Sequence, residues 1–159
     1  MSETNAALLM STVIKALMHC HSNNIIHRDI KLENIMFNSE NVDDYSDIVL
    51  IDFGLATKTN NSLGLLNTVV GSPYFTAPEV FEGKYGKECD VWSCGVVLYV
   101  LLSGCYPYNA DTPSLIFDKI QIEDVEFPYN EWKNMSTEAE DLIKQMLDRR
   151  PKTRITFEK

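Results

Sequence analysis

Residues 27 to 34 of this chain read His27-Arg28-Asp29-Ile30-Lys31-Leu32-Glu33-Asn34, and Asp52-Phe53-Gly54 follows after a short interval. This order places a candidate base, Asp29, and a lysine two positions further on within one loop. Two oxygen donors, Asn34 and Asp52, stand at the end of that loop and behind the strand pair that follows it. Carboxylate and amide oxygens are donors that Mg²⁺ prefers. The combination is the one that transfer of a phosphoryl group requires.

Composition narrows the class of protein. The chain has 159 residues, of which 45% are apolar and 23% are charged, so we expect one globular domain with a substantial core. The net charge of −9 disfavours binding to nucleic acid or anionic lipid, since both repel an acidic protein, and it would attract a basic peptide.

Two further patterns bear on the compartment. The most apolar stretch, residues 91–102, is shorter than the roughly 20 residues that a membrane-spanning helix needs, so we expect no membrane span. The four cysteines have no Cys-x-x-Cys spacing, and no stretch resembles a secretory signal. These patterns predict reduced thiols in an intracellular, cytoplasmic protein.

Hydrophobic spacing predicts the first elements. Apolar residues at helical spacing predict an amphipathic helix over about residues 2–20, with Ser2 as its N-cap. The β-rich runs 35–37 and 48–51 are joined by a polar stretch, and they should pair as a hairpin that ends at Asp52.

The second half of the sequence is predicted to be helical. The valine-rich run 91–102 could pass as a strand, but its length and the following Gly104 favour a buried helix with a glycine C-cap. Thr137 and Glu140 have the spacing of a capping box at the start of a later helix. The expected fold class is therefore mainly α with short β-hairpins.

Taken together, the motifs resemble the catalytic domain of protein kinases. Residues 27–34 fit the pattern His-Arg-Asp-x-x-x-x-Asn, residues 52–54 fit Asp-Phe-Gly, and Ala77-Pro78-Glu79 fits Ala-Pro-Glu, in the family's order and separations. The position of Lys31 resembles serine/threonine kinases.

The subgroup is indicated by longer stretches. Residues 71–79 resemble the activation segment of the calcium/calmodulin-dependent group, and residues 99–108 are similar to calcium-dependent protein kinases. A calcium sensor within this chain is excluded, because the sequence contains no EF-hand register.

The resemblance implies chemical roles. Asp29 would accept or orient the hydroxyl proton of a protein substrate, Lys31 would offset the charge of the transferred phosphoryl group, and Ser72 would bond to both. Asn34 and Asp52 would hold Mg²⁺. The residues implied on the ATP side are Lys31, Glu33, Asn34, Met36, Ile51 and Asp52.

Two of these positions have a more specific meaning in the family. Met36 and Ile51 match residues that floor the adenine pocket. Glu33 matches a position that contacts basic substrate residues, but Val100 stands where a second acid can occur. A basic residue in the peptide substrate is therefore expected from Glu33 alone.

The resemblance also implies a regulatory pair. Thr68, three residues before Gly71, lies where many family members are phosphorylated by an upstream activating kinase. Arg28, beside the candidate base, would pair with that phosphate. A plain loop threonine is the alternative interpretation of Thr68.

Five further residues have structural roles in the family: His27, Phe53, Asp90, Glu79 and Arg154. His27 would stack with Phe53 in an internal hydrophobic column. Asp90 would hold the family's catalytic loop, here residues 27–34, through backbone hydrogen bonds. Glu79 and Arg154 would form a buried, bidentate ion pair.

Only part of the family's catalytic domain is matched. Residues 1–159 resemble its larger, C-terminal lobe, and before Asp29 there is no Gly-x-Gly-x-x-Gly motif and no lysine other than Lys15. We therefore expect a partial domain that lacks the N-terminal β-rich lobe, a truncated product that is inactive by itself. The alternative function is a non-catalytic lobe that binds peptides or another kinase.

Several residues depart from simple expectations. Leu32 replaces the usual proline of the catalytic loop, and Arg150 stands where an aspartate commonly precedes a proline. The cluster His19-Cys20-His21 imitates a zinc site, but successive residues on a helix point in different directions. We therefore expect no zinc there.

Overall fold

The structure, a computed structural model, describes residues 1–40, 44–59 and 66–158. The helices in these ranges are α1 (Glu3–Ser22), α2 (Pro78–Phe81), α3 (Glu88–Ser103), α4 (Pro113–Ile122), α5 (Tyr129–Trp132) and α6 (Thr137–Met146). The strands are β1 (Ile25–Ile26), β2 (Ile35–Phe37), β3 (Ile48–Leu50) and β4 (Thr57–Lys58). The fold is mostly helical with two small antiparallel sheets, as the sequence predicts. Among the described residues, no helix is both long and apolar enough to cross a membrane.

The two sheets differ in how well the sequence predicts them. Strands β2 and β3 pair antiparallel with Ile35 opposite Leu50, which confirms the predicted hairpin. Strands β1 and β4 pair with Ile25 opposite Lys58, and this sheet was not predicted. Each of its strands has two residues, which is too short for an alternating pattern to stand out.

Helix α1 confirms the predicted amphipathic helix and extends to Ser22. The Ser2 hydroxyl accepts a hydrogen bond from the backbone N–H of Asn5 at 3.2 Å, so the predicted N-cap is present. Its buried face includes Val13 and Leu17 and packs against α3.

Helix α3 is the centre of the core. Twelve of its 16 residues are buried, and Trp92 is enclosed completely, as expected for a helix with apolar residues on every side. It ends at Gly104, which has φ 77° and donates its N–H to the carbonyl oxygen of Val100 at 2.8 Å. The prediction of a buried helix with a glycine C-cap is confirmed.

The predicted capping box of α6 is wrong. The N-cap is Ser136, whose hydroxyl accepts from the N–H of Ala139 at 3.1 Å. The carboxylate comes from Glu3 on α1, which accepts from the N–H of Ser136 at 3.0 Å and from its hydroxyl at 2.6 Å. A residue remote in sequence thus replaces the local glutamate of a capping box.

Candidate active site

The candidate base lies at the centre of a hydrogen-bonded set. Lys31 Nζ is 2.7 Å from Asp29 Oδ2 and donates to Ser72 Oγ at 3.2 Å, while Ser72 Oγ donates to Asp29 Oδ1 at 3.1 Å. The Asn34 amide nitrogen donates to the carbonyl oxygen of Asp29 at 2.8 Å and to its Oδ2 at 3.2 Å. Four residues that the sequence assigned to the site are therefore in direct contact.

The ionisation of this set follows from its contacts. Burial works to raise the pKa of Asp29, but hydrogen bonds from Lys31 and Ser72 and the charge of Lys31 outweigh it and hold the pKa below its ordinary value. The hydrogen bond to Asp29 raises the pKa of Lys31. Asp29 is therefore a carboxylate and Lys31 an ammonium group at neutral pH.

The catalytic loop is positioned by Asp90 in the first turn of α3. Its carboxylate is buried and accepts the backbone N–H of His27 at 3.0 Å and that of Arg28 at 2.9 Å. His21 Nε2 lies 2.7 Å from Asp90 Oδ2. One buried carboxylate thus satisfies backbone donors that no helix or strand can satisfy.

His27 and Phe53 are in contact, but their rings are not stacked. Their centroids are 4.7 Å apart with the planes at 61°, an edge-to-face arrangement that suits the aromatic quadrupoles better than a face-to-face stack. His27 Nδ1 accepts from the N–H of Asp29 at 3.3 Å. Burial lowers the pKa of His27, which favours a neutral ring beneath the loop.

The residues expected on the ATP side lie on or beside the β2–β3 hairpin. Met36 on β2 is 51% exposed and stands opposite Val49 on β3, so the hairpin presents an apolar face to solvent. The N–H of Ile51 donates to the carbonyl oxygen of Asn34 at 2.9 Å, and Asp52 follows directly. This backbone bond joins Asn34 to the residue directly before Asp52, so it brings the two candidate Mg²⁺ ligands near each other.

Two candidate residues face solvent with few contacts. Asp52 is exposed at φ 60°, and its Oδ1 accepts from the N–H of Gly54 at 3.0 Å. Glu33 is exposed in the short 3₁₀ turn Leu32–Asn34. Both carboxylates are therefore accessible to a cation or a basic side chain.

Arg28 and Thr68 do not meet directly. Arg28 Nε donates to the carbonyl oxygen of Leu55 at 2.7 Å, and its Nη1 donates to the hydroxyl of Tyr85 at 3.1 Å. That hydroxyl donates to the carbonyl oxygen of Thr68 at 2.6 Å, while the Thr68 side chain is exposed. The two residues of the expected regulatory pair are thus joined through Tyr85.

Gly71 places Ser72 beside Asp29. It has φ 105°, and a Cβ atom there would lie 2.8 Å from the carbonyl oxygen of Arg28. Only glycine permits both this conformation and this close approach. The chain at Gly71 and Ser72 therefore packs directly against the catalytic loop.

Glu79 and Arg154 are brought together from distant parts of the sequence. Arg154 Nη1 is 2.5 Å from Glu79 Oε1 and Nη2 is 2.9 Å from Oε2, so the pair is bidentate, and both residues are buried. Arg154 also donates to the carbonyl oxygens of Asp148 at 2.9 Å and Glu88 at 2.8 Å. These contacts use most of the guanidinium donors.

The sequence analysis missed the role of Asp148, which lies with Arg154 in the loop formed by residues 148–154. Burial works to raise its pKa, but hydrogen bonds from Thr153 and Arg150 outweigh it and lower the pKa to about 2. Asp148 Oδ1 accepts from the N–H of Arg150 at 2.9 Å, the local bond by which an aspartate closes a turn. Asp148 thus closes this turn, although Arg150 occupies the position where the family commonly has an aspartate. The signal available in the sequence was an aspartate three residues before Pro151.

Tyr85 and His21 were missed for a different reason. Tyr85 had no motif to mark it, and His21 was considered only as a zinc ligand. The structure gives His21 a contact with Asp90 and a stacked contact with Phe157. The described residues contain no group of three or more histidine, cysteine or acidic side chains that could hold a metal ion.

Comparison with known proteins identifies the family. The family profile described as protein kinase domain matches residues 1–159. Similar curated proteins are calcium-dependent protein kinase 5 of Plasmodium falciparum, 44% identical over 99% of this chain, and calcium-dependent protein kinase 4 of Arabidopsis thaliana, 45% identical over 98%. The chain spans 27% and 30% of the length of these relatives. It therefore belongs to the protein kinase domain family.

Proposed function

We propose that this chain is the C-terminal lobe of a catalytic domain that phosphorylates serine and threonine hydroxyls of proteins with ATP. Asp29 orients the substrate hydroxyl and accepts its proton, Lys31 offsets negative charge on the transferred group, and Ser72 fixes the geometry of both. The observation that carries the proposal is the contact between these three side chains at 2.7 to 3.2 Å.

The donor set fits magnesium. Asn34 uses its amide nitrogen toward Asp29, so its amide oxygen is the atom suited to a metal, and Asp52 adds an exposed carboxylate. Mg²⁺ keeps waters and phosphate oxygens as ligands, so two protein ligands suffice. When bound, it neutralises charge on the phosphates. The apolar face at Met36 and Val49 has the character needed to support an adenine ring, with Ile51 beside it.

We propose a peptide substrate with a basic residue. Glu33 is exposed next to the catalytic loop, and the net charge of −9 attracts cationic peptides. An arginine-containing peptide should have a lower KM than the same peptide with alanine. Glu33→Gln should reduce that difference.

We propose Thr68 as a site for an upstream activating kinase. Phosphorylation adds about −1.5 to −2 charge, and Arg28 is linked to the Thr68 backbone through Tyr85. In an active kinase that carries this lobe, Thr68→Ala should abolish the rise in activity that the activating kinase produces. Equal activation of the two proteins would reject the assignment.

The 159 residues by themselves are expected to transfer no phosphate. Before Asp29 they contain no glycine-rich motif and no lysine other than Lys15 to position ATP. Catalysis of phosphoryl transfer depends mostly on such positioning. The assay is transfer of labelled phosphate from ATP to a basic peptide. Transfer that disappears in Asp29→Asn would contradict this expectation.

The proposed function itself is tested in a chimera. This chain replaces the matching 157 residues of the Plasmodium falciparum relative, which are 44% identical. We expect phosphoryl transfer by the chimera, and a loss of about 100-fold or more in kcat in Asp29→Asn. Asp111→Asn, an exposed aspartate outside the site, is the control and should leave kcat unchanged. A folded chimera without activity, or an active Asp29→Asn variant, would contradict the proposal.

The alternative is a non-catalytic module that binds a peptide or another kinase. One observation favours it: Met36 and Val49, which are opposite each other on the β2–β3 hairpin, and Phe53 are large apolar side chains exposed to solvent. A module of this kind predicts a chimera that folds and binds peptides but does not depend on Asp29. The same assay therefore separates the two functions.

A further inference from the structure

The side chain of Tyr85 connects parts of the proposed site that are distant in sequence. Tyr85 is 1% exposed, and its single hydroxyl accepts from Arg28 Nη1 and donates to the carbonyl oxygen of Thr68. Its backbone also pairs with Leu66 in both directions, at 2.7 and 3.2 Å. Tyr85 therefore holds residues 66–68 through its backbone and its side chain at once.

The backbone conformation of Arg28 depends on contacts with other residues. Its φ of 70° lies in the left-handed region, which a non-glycine residue adopts only when its surroundings impose it. Three groups fix it in place: Asp90 binds its N–H, the Leu55 carbonyl binds Nε, and Tyr85 binds Nη1. Because Asp29 follows directly, rotation of the Arg28 backbone would displace the candidate base.

We propose that Tyr85 is a positioning residue that docks residues 66–71 on Arg28 while Thr68 is unmodified, and thereby steadies the backbone at Asp29. The inference rests on the proposed kinase function, because it assigns Tyr85 to the same reaction. The Nε and Nη1 atoms of Arg28 donate to Leu55 and Tyr85. A guanidinium group has five N–H donors in all, so it can bind these partners and a phosphate together. In this proposal, a phosphate on Thr68 would bind Arg28 directly and so add to the link that Tyr85 makes.

The test compares two tyrosines in the 159-residue chain. Tyr85→Phe keeps the ring in the core and removes only the hydroxyl. Tyr99→Phe is the matched control, since Tyr99 is 4% exposed and its hydroxyl donates to the carbonyl oxygen of Glu126 at 2.8 Å, away from the site. Both variants lose one buried hydroxyl with its hydrogen bonds.

Hydrogen exchange of backbone amides is the measurement. In Tyr85→Phe, residues 28–31 and residues 66–71 each lose one hydrogen bond to the hydroxyl. We therefore expect the backbone amides of both segments to exchange about fivefold faster, the effect of roughly one hydrogen bond. In Tyr99→Phe these amides should exchange as in the parent, while both variants lower Tm by similar amounts. Phosphothreonine incorporated at position 68 should restore slow exchange at 28–31 in Tyr85→Phe, since the phosphate can bind Arg28 directly.

Three outcomes would overturn the proposal: unchanged exchange at 28–31 in Tyr85→Phe, equal acceleration in Tyr99→Phe, or no restoration by phosphothreonine at position 68. Amide exchange requires neither ATP nor transfer of phosphate. An inactive chimera together with the expected exchange pattern would reject the proposed function and leave the positioning role of Tyr85 intact.

Discussion

Two irregular loops each contact the first turn of α3, and each is held by one buried charged side chain. The carboxylate of Asp90, on α3, accepts two backbone N–H groups of the catalytic loop. In the terminal loop, residues 148–154, the guanidinium of Arg154 donates to two backbone carbonyl oxygens. A buried charge can thus replace regular secondary structure when its sign matches the unpaired backbone groups.

The loops differ in how the buried charge is balanced. Arg154 is paired with the carboxylate of Glu79, and removal of either residue would leave the other charge buried without a partner. Asp90 is balanced mainly by backbone dipoles, with His21 Nε2 at 2.7 Å. The terminal loop should therefore be more sensitive to loss of its charged residue than the catalytic loop.

The largest effect is expected for Arg154→Ala. It leaves the Glu79 carboxylate buried without its partner and removes the hydrogen bonds to the carbonyl oxygens of Asp148 and Glu88. The free energy of unfolding should therefore fall by about 3 to 5 kcal/mol. Arg154→Lys should restore only part of this, because an ammonium group cannot make the bidentate contact. Thermal denaturation gives the comparison, and an Arg154→Ala protein that melts like the parent would contradict the account.

Asp90→Asn should have the next largest effect. The amide keeps one acceptor but turns an NH₂ group toward a backbone donor, which should cost about 2 to 3 kcal/mol. Chemical denaturation measures this loss, and Asp118→Asn on the exposed side of α4 is the control. If the Asp90 variant proves as stable as the control, the carboxylate does not hold the loop.

Asp148→Asn should have a smaller, pH-dependent effect. The pKa of Asp148 is about 2 in the folded chain and ordinarily 3.8, so its contribution to stability is present above pH 4 and is lost as pH falls through 2. With allowance for solvent screening, the contribution is on the order of 1 to 2 kcal/mol at pH 7. Unfolding of parent and variant from pH 7 to 2 tests this. A difference that stays constant would show another cause.

The smallest effect is local to one helix end. Ser136→Ala removes the N-cap of α6 and its contact with Glu3, which should lower stability by about 1 kcal/mol. Thr137→Ala should change stability little, because Thr137 is exposed and its hydroxyl donates to the carboxylate of its exposed neighbour Glu138. Equal losses in the two variants would restore the capping box that the sequence suggested.

The sequence predicted the elements whose signals are local. Ser2 and Gly104 mark helix ends by their own chemistry, and the β2–β3 hairpin follows from two short β-rich runs. The motif residues Asp29, Asn34 and Asp52 were recognisable because their spacing is itself the signal.

The remainder depends on contacts between distant residues. Glu3 meets Ser136, and Tyr85 meets Arg28 and Thr68, only after the chain has folded. No spacing rule connects such residues before the fold is known. Asp148 was missed because Arg150 occupies the position where the family commonly has an aspartate.

The most direct test of the account separates chemistry from support within the same chimera. Asp29 is assigned to the reaction and Asp90 to the loop, so kcat and Tm are measured together for Asp29→Asn and Asp90→Asn. We predict that Asp29→Asn lowers kcat by about 100-fold or more while Tm stays near that of the parent, and that Asp90→Asn lowers both. Full activity in Asp29→Asn, or a loss of Tm in it as large as in Asp90→Asn, would contradict the account.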